Sequence, residues 1–331
     1  MVWETRLPRG LEEACAEATV PLERMEDGFL RSVGLGAAFQ PGASTILDRR
    51  GIYYDPRRPS DLEHILATTE FTPDLLDRAR RLRERIVALR LSKYNVGQSG
   101  ALQLPGDRPL VLVPGQVEDD ASVLFGSPQV RGNRELLAAA RRLNPDAFLL
   151  FKPHPDVAAG LRKGRIEEAV ALRFADRLVV DLSIADLLDR VDRIETMTSL
   201  TGFEALLRGK QVGVHGGPFY AGWGLTLDRH PPPRRGRHLS LDALVAATLI
   251  LYPRYLDPAT GLRCPPEILV DRLAAARDAA VAAPAFAAGA RAAYVRARYA
   301  LLGPVAHLLR RARGSLKTDP HGTSGPTDPT R

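Results

Sequence analysis

The sequence is poor in the residues that build metal clusters, disulfide frameworks and nucleic-acid platforms. Among 331 residues only Cys15 and Cys264 are cysteines, and they stand far apart. They supply neither a zinc-ligand spacing nor a disulfide framework, so a reducing compartment is expected. Aromatic residues make up 6% of the chain. No zinc-finger spacing or aromatic–basic RNA-binding signature accompanies them, which argues against a nucleic-acid partner. No apolar run reaches the roughly 18 residues of a membrane-spanning helix. The start, Met1-Val2-Trp3-Glu4, has no basic stretch leading into an apolar one, so no secretory leader and a cytoplasmic location are expected.

What is present is ordinary globular material, 45% hydrophobic and 26% charged. The length suits two domains of roughly 150 residues each. The formal net charge is +7, with arginine concentrated at Arg78–Arg90 and again at Arg291–Arg313. Such stretches read either as attraction for an anionic partner or as solvated helix faces.

Along the chain, Ile46–Asp48 and Gly51–Asp55 read as a hairpin joined by Arg49-Arg50. Gly34 and Gly36 mark turns before it. Ser60 caps a helix with Glu63 at the capping-box position. Thr72-Pro73 opens a second helix that runs to about Leu91. After the polar segment Ser92–Gly106 the pattern changes. Apolar runs at 109–114, 147–152, 178–180, 193–196 and 211–214 alternate with helices at 132–143, 183–189 and 201–208. That alternation predicts a parallel sheet with helices on both faces. From Leu239 the chain is helical, with starts at Ser240 and Cys264–Glu267. The expected division is 1–105 as an N-terminal α/β domain, 106–238 as a Rossmann-like domain, 239–313 as a helical segment that packs back on the first, and 314–331 as a disordered tail.

Several segments carry chemistry. Lys152-Pro153-His154-Pro155 follows a buried strand, where open α/β sheets bind ligands. Its lysine and imidazole suit a phosphate; a rigid connection with two solvated groups is the bland reading. In Thr198–Glu204, the hydroxyls of Ser199 and Thr201 and the small Gly202 open a helix, an anion-binding arrangement that lacks the P-loop lysine. Glu204 reads as a cap or as an acceptor for ribose hydroxyls. Gln116, Glu118, Asp119, Asp120 and Ser122 follow another strand end. Their adjacent acids suit a metal, a reactive carboxylate, or a helix cap. Glu26 and Asp27, followed by Arg31, form a turn or else the second half of a carboxylate pair with Asp120, as retention at a glycosidic centre requires. Tyr220 and Trp223 lie in a Gly-rich aromatic loop that packs over a sugar or plugs the core. The spacing of His215, His230 and His238 makes no metal cluster.

Taken in order, Glu26–Ser32, Gly51–Asp55, Gly115–Ser122, Lys152–Pro155, Ser199–Glu204 and Phe219–Gly224 resemble the capsule polysaccharide biosynthesis family, the KpsC-type retaining β-Kdo glycosyltransferases. The resemblance covers roughly residues 1 to 273. It implies a GT-B-like α/β fold, with two Rossmann-like domains facing a cleft and C-terminal helices. It implies CMP-β-Kdo as donor, a Kdo-lysophospholipid acceptor, and no metal or other cofactor. Asp120 would be the nucleophile and Glu26 the acid/base. Lys152, His154, Pro155, Ser199, Thr201, Gly202 and Glu204 would hold the nucleotide. Asp27, Arg31, Gln116, Asp119, Ser122, Tyr220 and Trp223 would line the substrate cleft, with Lys152 or Arg31 pairing the Kdo carboxylate. A peripheral contact at the inner membrane and other capsule assembly proteins as partners are also implied. Family members carry two such modules in tandem; this chain has one, worded more like the second. A non-catalytic export or assembly factor that binds the glycolipid is the competing expectation.

Overall fold

The computed structural model describes residues 1–33, 42–93, 95, 100 and 102–282. Gly34, Gly36, the arginine stretch at 291–313 and the 314–331 tail lie outside the described residues. In chain order the strands are β1 (Val2–Trp3), β2 (Arg24–Asp27), β3 (Ser44–Asp48), β4 (Leu110–Pro114), β5 (Phe148–Lys152) and β6 (Arg177–Leu178). Then come β7 (Arg193–Thr196), β8 (Gln211–Val214), β9 (Leu227–Asp228), β10 (Arg254–Leu256) and β11 (Arg263–Cys264). The helices are α1 (Leu11–Glu17), α2 (Asp61–Thr68), α3 (Pro73–Ala88), α4 (Ala121–Gly126), α5 (Asn133–Leu143) and α6 (Pro155–Ala158). They continue with α7 (Glu168–Ala171), α8 (Ile184–Arg190), α9 (Leu200–Leu207), α10 (Leu241–Val245) and α11 (Pro266–Ala282). The chain divides into Met1–Arg277 and Asp278–Arg331, and both sheets belong to the first unit.

The apolar runs after residue 108 form a parallel sheet in the order β6-β5-β4-β7-β8-β9. Read by chain position within the sheet, this is the Rossmann order, with its topological switch between β4 and β7. Each central strand is buried on both faces. Val111 and Val113 of β4 pack with Leu136 and Leu137 of α5, while Leu112 points into the larger core on the other side. Leu149 and Phe151 of β5 divide from Leu150 in the same way. Full burial on two faces is why these runs are continuously apolar instead of alternating.

The other sheet has the order β1-β2-β3-β10-β11. Only β1 and β2 run parallel; β2–β3, β3–β10 and β10–β11 are antiparallel. The expectation of a Rossmann-like fold therefore holds for the second sheet and not for the first, whose strands are joined largely as antiparallel neighbours. The expected hairpin is also displaced. β3 pairs with β2, and residues 51–55 form turns. The reason is Asp48, fully buried at the end of β3. Its Oδ1 accepts the N–H groups of Arg50 (2.9 Å) and Gly51 (2.8 Å), and its Oδ2 accepts the Tyr252 hydroxyl (2.6 Å). Those backbone donors are thus taken from any further ladder.

Ser60 caps α2 by accepting from the Glu63 N–H at 3.0 Å. The reciprocal half of the capping box is missing, because the Glu63 carboxylate turns to Arg234 and Arg235. Thr72 and Pro73 start α3 as the sequence predicts. The helix begun at Ser240 continues as a π-helical segment, Ala246–Leu251, and packs on α2 and α3. β10 then enters the first sheet beside β3, so the chain after residue 239 is built partly into the N-terminal layer.

The arginines of α3 are paired. Arg78 meets Glu267, Arg80 meets Asp77 and Glu84, Arg81 meets Asp77, Arg83 meets Asp242 and Arg85 meets Asp271. Arg90, just beyond, meets Asp186 and Asp189. This basic stretch is a neutralised helix face, the bland alternative.

Candidate functional site

A cavity of about 810 Å³ opens at the carboxyl ends of β4, β5, β6 and β7 and is closed on the far side by Glu26, Asp27, Tyr53 and Tyr54 of the first sheet's layer. Tyr53 and Phe219 of its lining belong to an aromatic cluster with Phe29 and Phe203. Phe29 lies 4.8 Å from Tyr53 and 4.8 Å from Phe219, with Phe203 of α9 5.3 Å from Phe219. The quoted sequence words are far apart in the chain, yet their aromatic residues meet here. Close approach also explains two glycines. A Cβ on Gly28 would strike the Ser44 hydroxyl at 2.3 Å, and one on Gly202 would strike the Tyr220 hydroxyl at 2.2 Å.

The phosphate-loop expectation resolves into unequal parts. His154 caps the short α6: its Nδ1 accepts from the Asp156 N–H at 3.2 Å. An acceptor at Nδ1 leaves the proton of the neutral ring on Nε2. Burial lowers the imidazole's affinity for a second proton, so the ring is a neutral hydrogen-bond donor at physiological pH. Pro153 and Pro155 hold this loop rigid and line the same wall. Lys152 is buried, and its ammonium donates to the Val180 carbonyl at 2.9 Å. Burial pulls its pKa below the ordinary lysine value, with Asp181 opposing.

Ser199 caps α9 by accepting from the Thr201 N–H at 3.2 Å. With Thr201 it lines the cavity, while Gly202 lies beneath, against Tyr220. The caps of α4, α6 and α9 (Asp120, His154 and Ser199) all line the cavity. Three helix N-termini thus bring their partial positive charge to one space, a favourable field for an anion.

The three adjacent acids diverge. Glu118 Oε1 accepts from the Asn133 N–H at the start of α5 (2.8 Å). Asp119 pairs with Arg162 on the surface, outside the cavity. Asp120 lines the cavity and caps α4, its Oδ1 accepting from the N–H (3.0 Å) and the hydroxyl (2.7 Å) of Ser122. Among the described residues no group of three or more His, Cys, Asp or Glu side chains is placed to hold a metal ion.

Opposite stands Glu26. One carboxylate oxygen accepts from the Asp27 N–H at 3.0 Å; the other is buried with no hydrogen-bond partner. Burial pushes its pKa up to about 7, and the charge of Asp120 adds to the rise. A carboxyl group that exchanges its proton near neutrality is suited to acid/base work.

Other expected cleft residues fall elsewhere. Arg31 is buried and donates to Asp27 at 2.5 Å, outside the cavity lining. Tyr220 and Trp223 are fully buried plugs; their polar atoms go to the Ser199 carbonyl (2.5 Å) and the Phe219 carbonyl (2.8 Å). Tyr220 and Trp223 therefore pack the core, and of this aromatic loop Pro218 and Phe219 line the cavity. The loop is held by Arg235, which donates to Glu63 and to the carbonyls of Pro218 and Ala221. Gln116 lines the cavity but also braces it. Its Oε1 accepts from the N–H groups of Met197 (3.2 Å) and Thr198 (3.0 Å), tying the end of β4 to the end of β7 at the switch point. Glu204 does not cap α9. Burial raises its pKa, and it accepts from the Lys93 N–H at 2.7 Å.

Sequence reasoning passed over Lys93, Tyr53, Tyr54 and Asp181, all of which line the cavity. Lys93 belongs to a segment without regular structure, so no periodicity marks it. The nearest local signal is Ser92-x-x-Asn95, whose side chains and N–H groups bond reciprocally at 2.9 and 3.0 Å.

Comparison with known proteins gives the chain a family. The family model described as "Capsule polysaccharide biosynthesis protein" matches residues 2–255. The chain is 50% identical over 241 residues to the capsule polysaccharide modification protein LipA of Neisseria meningitidis serogroup A, covering 73% of this chain and 34% of LipA. It is 46% identical over 263 residues to the lipopolysaccharide-processing protein LpsZ of Rhizobium meliloti, covering 78% of this chain and 60% of LpsZ. The chain thus spans about a third of the length of LipA. Among solved structures, the Thermosulfurimonas dismutans KpsC β-Kdo 2,4 transferase superposes with a TM-score of 0.72 at 39% identity, over 80% of this chain and 83% of that one. The β-Kdo 2,7 transferase of the same organism superposes with a TM-score of 0.67 at 38% identity, over 80% and 82%. With its Rossmann-ordered sheet, its cavity at the switch point and these matches, the chain belongs to the capsule polysaccharide biosynthesis family.

Proposed function

We propose that the protein is a retaining glycosyltransferase that moves Kdo from CMP-β-Kdo to a Kdo-bearing glycolipid during capsule assembly. The observation that carries this reading is the pairing of two unlike carboxyl groups across one cavity, Glu26 with its raised pKa and Asp120 at a helix N-terminus. A carboxyl that burial keeps protonated to near neutrality, set across a cavity from a second carboxyl, suits the acid/base role. The names of the similar structures support Kdo as the sugar.

In the first step an Asp120 oxygen attacks C2 of Kdo. The bond from C2 to the phosphate oxygen breaks, and its electron pair leaves with CMP. The leaving phosphate gains charge, which the His154 Nε2–H and the helix N-termini at Asp120, His154 and Ser199 offset. In the second step ionised Glu26 takes the proton of the acceptor hydroxyl. That oxygen attacks C2, the bond to Asp120 breaks, and the carboxylate is restored. Two inversions give retention. These donors offset the leaving charge without a cation, so the transfer is proposed to be metal-independent. A lysophospholipid-linked acceptor, a peripheral inner-membrane contact and partner capsule proteins belong to the same proposal. Among the described residues no helix is long and apolar enough to cross a membrane.

Intact-mass spectrometry tests the route. In a Glu26→Gln variant given donor, CMP still departs while the second step stalls, so one Kdo residue accumulates on the protein and maps to Asp120. Absence of the adduct, together with full transfer activity in this variant, overturns the assignment. A glycolipid-binding factor without catalysis predicts neither adduct nor transfer in the unmodified protein.

A further inference from the structure

Resting on that donor reading, we infer that Lys93 binds the carboxylate attached to the reacting carbon, and so selects sugar acids over neutral sugars. An ulosonic-acid nucleotide brings two anionic groups into the cavity, the phosphate and the carboxylate on C2. The attacking group, Asp120, is a third. A carboxylate approaching a carbon that already bears one is opposed by repulsion unless a cation stands beside them.

The cavity offers few cations. Among the described residues that line it the charged bases are Lys93 and Lys152, and no arginine is included. Arg31, the other expected partner, donates to Asp27 and is not among the lining residues. Lys152 stands on the phosphate-loop wall with its ammonium on the Val180 carbonyl.

Lys93 enters from a different side, and its main chain is held by both layers. Its N–H donates to Glu204 of α9 at 2.7 Å, and its carbonyl accepts from the Ser32 N–H at 3.3 Å. Asn95 donates from Nδ2 to the Ser32 carbonyl at 3.1 Å, in the left-handed conformation (φ 51°) that asparagine tolerates. The Lys93 charge is felt at once by Glu26, by His154 and by Glu204. Lys93 lines the same cavity as the proposed acid/base Glu26 and the phosphate-loop His154, the space in which C2 would stand. An ammonium has three donors, so a carboxylate can be added to the contacts it already makes. The same position explains the buried Glu204: it orients the lysine-bearing segment.

The test compares the full-length protein with Lys93→Met, Lys93→Gln and Lys93→Arg. Calorimetry gives the affinity for CMP, steady-state kinetics give KM and kcat for CMP-β-Kdo, and melting reports folding. Lys93→Met and Lys93→Gln are expected to raise the donor KM at least about tenfold while CMP affinity changes by less than about threefold, the loss of one charge-assisted contact made only by the sugar. Lys93→Arg keeps the charge and recovers part of the loss. Equal weakening of CMP and donor would assign Lys93 to the phosphate and overturn the inference, as would unchanged constants for both. If Lys93→Met fails to fold, Lys93→Arg and Lys93→Gln decide between the same outcomes. Absence of transfer in the unmodified protein sinks the donor reading itself; normal transfer with indifferent variants sinks only the role of Lys93.

Discussion

Two charged regions of this molecule have been treated oppositely by the fold. On α3 each arginine meets an acid at the surface, and the region's large formal charge is neutralised locally. At the cavity, by contrast, Glu26 keeps a buried oxygen without a partner and holds its proton up to about pH 7. The α3 stretch stands out in the sequence as a run of arginines, and those side chains are taken up in ion pairs. The cavity is almost invisible to composition and holds the two carboxyl groups on which the proposed function rests. Charge count finds solvated faces; an unsatisfied, desolvated group finds a site.

The contrast can be broken or sharpened by substitution. Asp120→Asn is expected to have the largest effect, lowering transfer about a thousandfold or more because the proposed nucleophile is lost. Asparagine is as good a helix cap as aspartate, so melting should change little; a large loss of stability would mean that Asp120 matters chiefly as a cap. Glu63→Ala should come next, costing about 3–5 kcal/mol in chemical denaturation. It leaves buried Arg235 without its carboxylate and loosens the loop 218–224.

Glu26→Gln should remove transfer yet stabilise the protein at neutral pH. The unfolded chain ionises this group from about pH 4.5, whereas the folded one keeps its proton to about 7. The folded state therefore loses stability, relative to the Gln variant, as pH rises between those values, and the gap is level above them. Its limit is about 3 kcal/mol. Melting curves across that range check the sign; a gap that closes as pH rises would contradict it. At the small end, Arg80→Ala and Arg81→Ala should each change stability by less than about 0.5 kcal/mol, since their ion pairs are exposed. A larger change would erase the contrast between the two regions.

How much of this was legible beforehand follows burial. The strands of the parallel sheet are buried on both faces, so their apolar runs stand out, and the helix starts at Ser60, Thr72, Ser183, Ser199 and Ser240 announce themselves through their caps. The first sheet was harder. Its strands are short, it takes β10 and β11 from far along the chain, and Asp48 redirects the residues expected to make a hairpin. Within the site, Asp120, His154 and Ser199 were legible because a strand end and a helix cap fix each of them locally. The positions of Arg31, Tyr220 and Trp223 were not: Arg31 and Trp223 turn back to Asp27 and the Phe219 carbonyl, four residues away, and Tyr220 reaches the Ser199 carbonyl, none of which the spacing of these residues announces. Lys93 escaped because Glu204 and Ser32, both remote in sequence, hold its main chain at the cavity.

The most direct measurement of the central claim is transfer from preformed CMP-β-Kdo to a synthetic Kdo acceptor in excess EDTA, with donor synthesis run separately. Formation of a β-linked Kdo product, lost in both Asp120→Asn and Glu26→Gln, is the predicted result; correctly folded protein that yields no product, or product that disappears when EDTA is added, would contradict it.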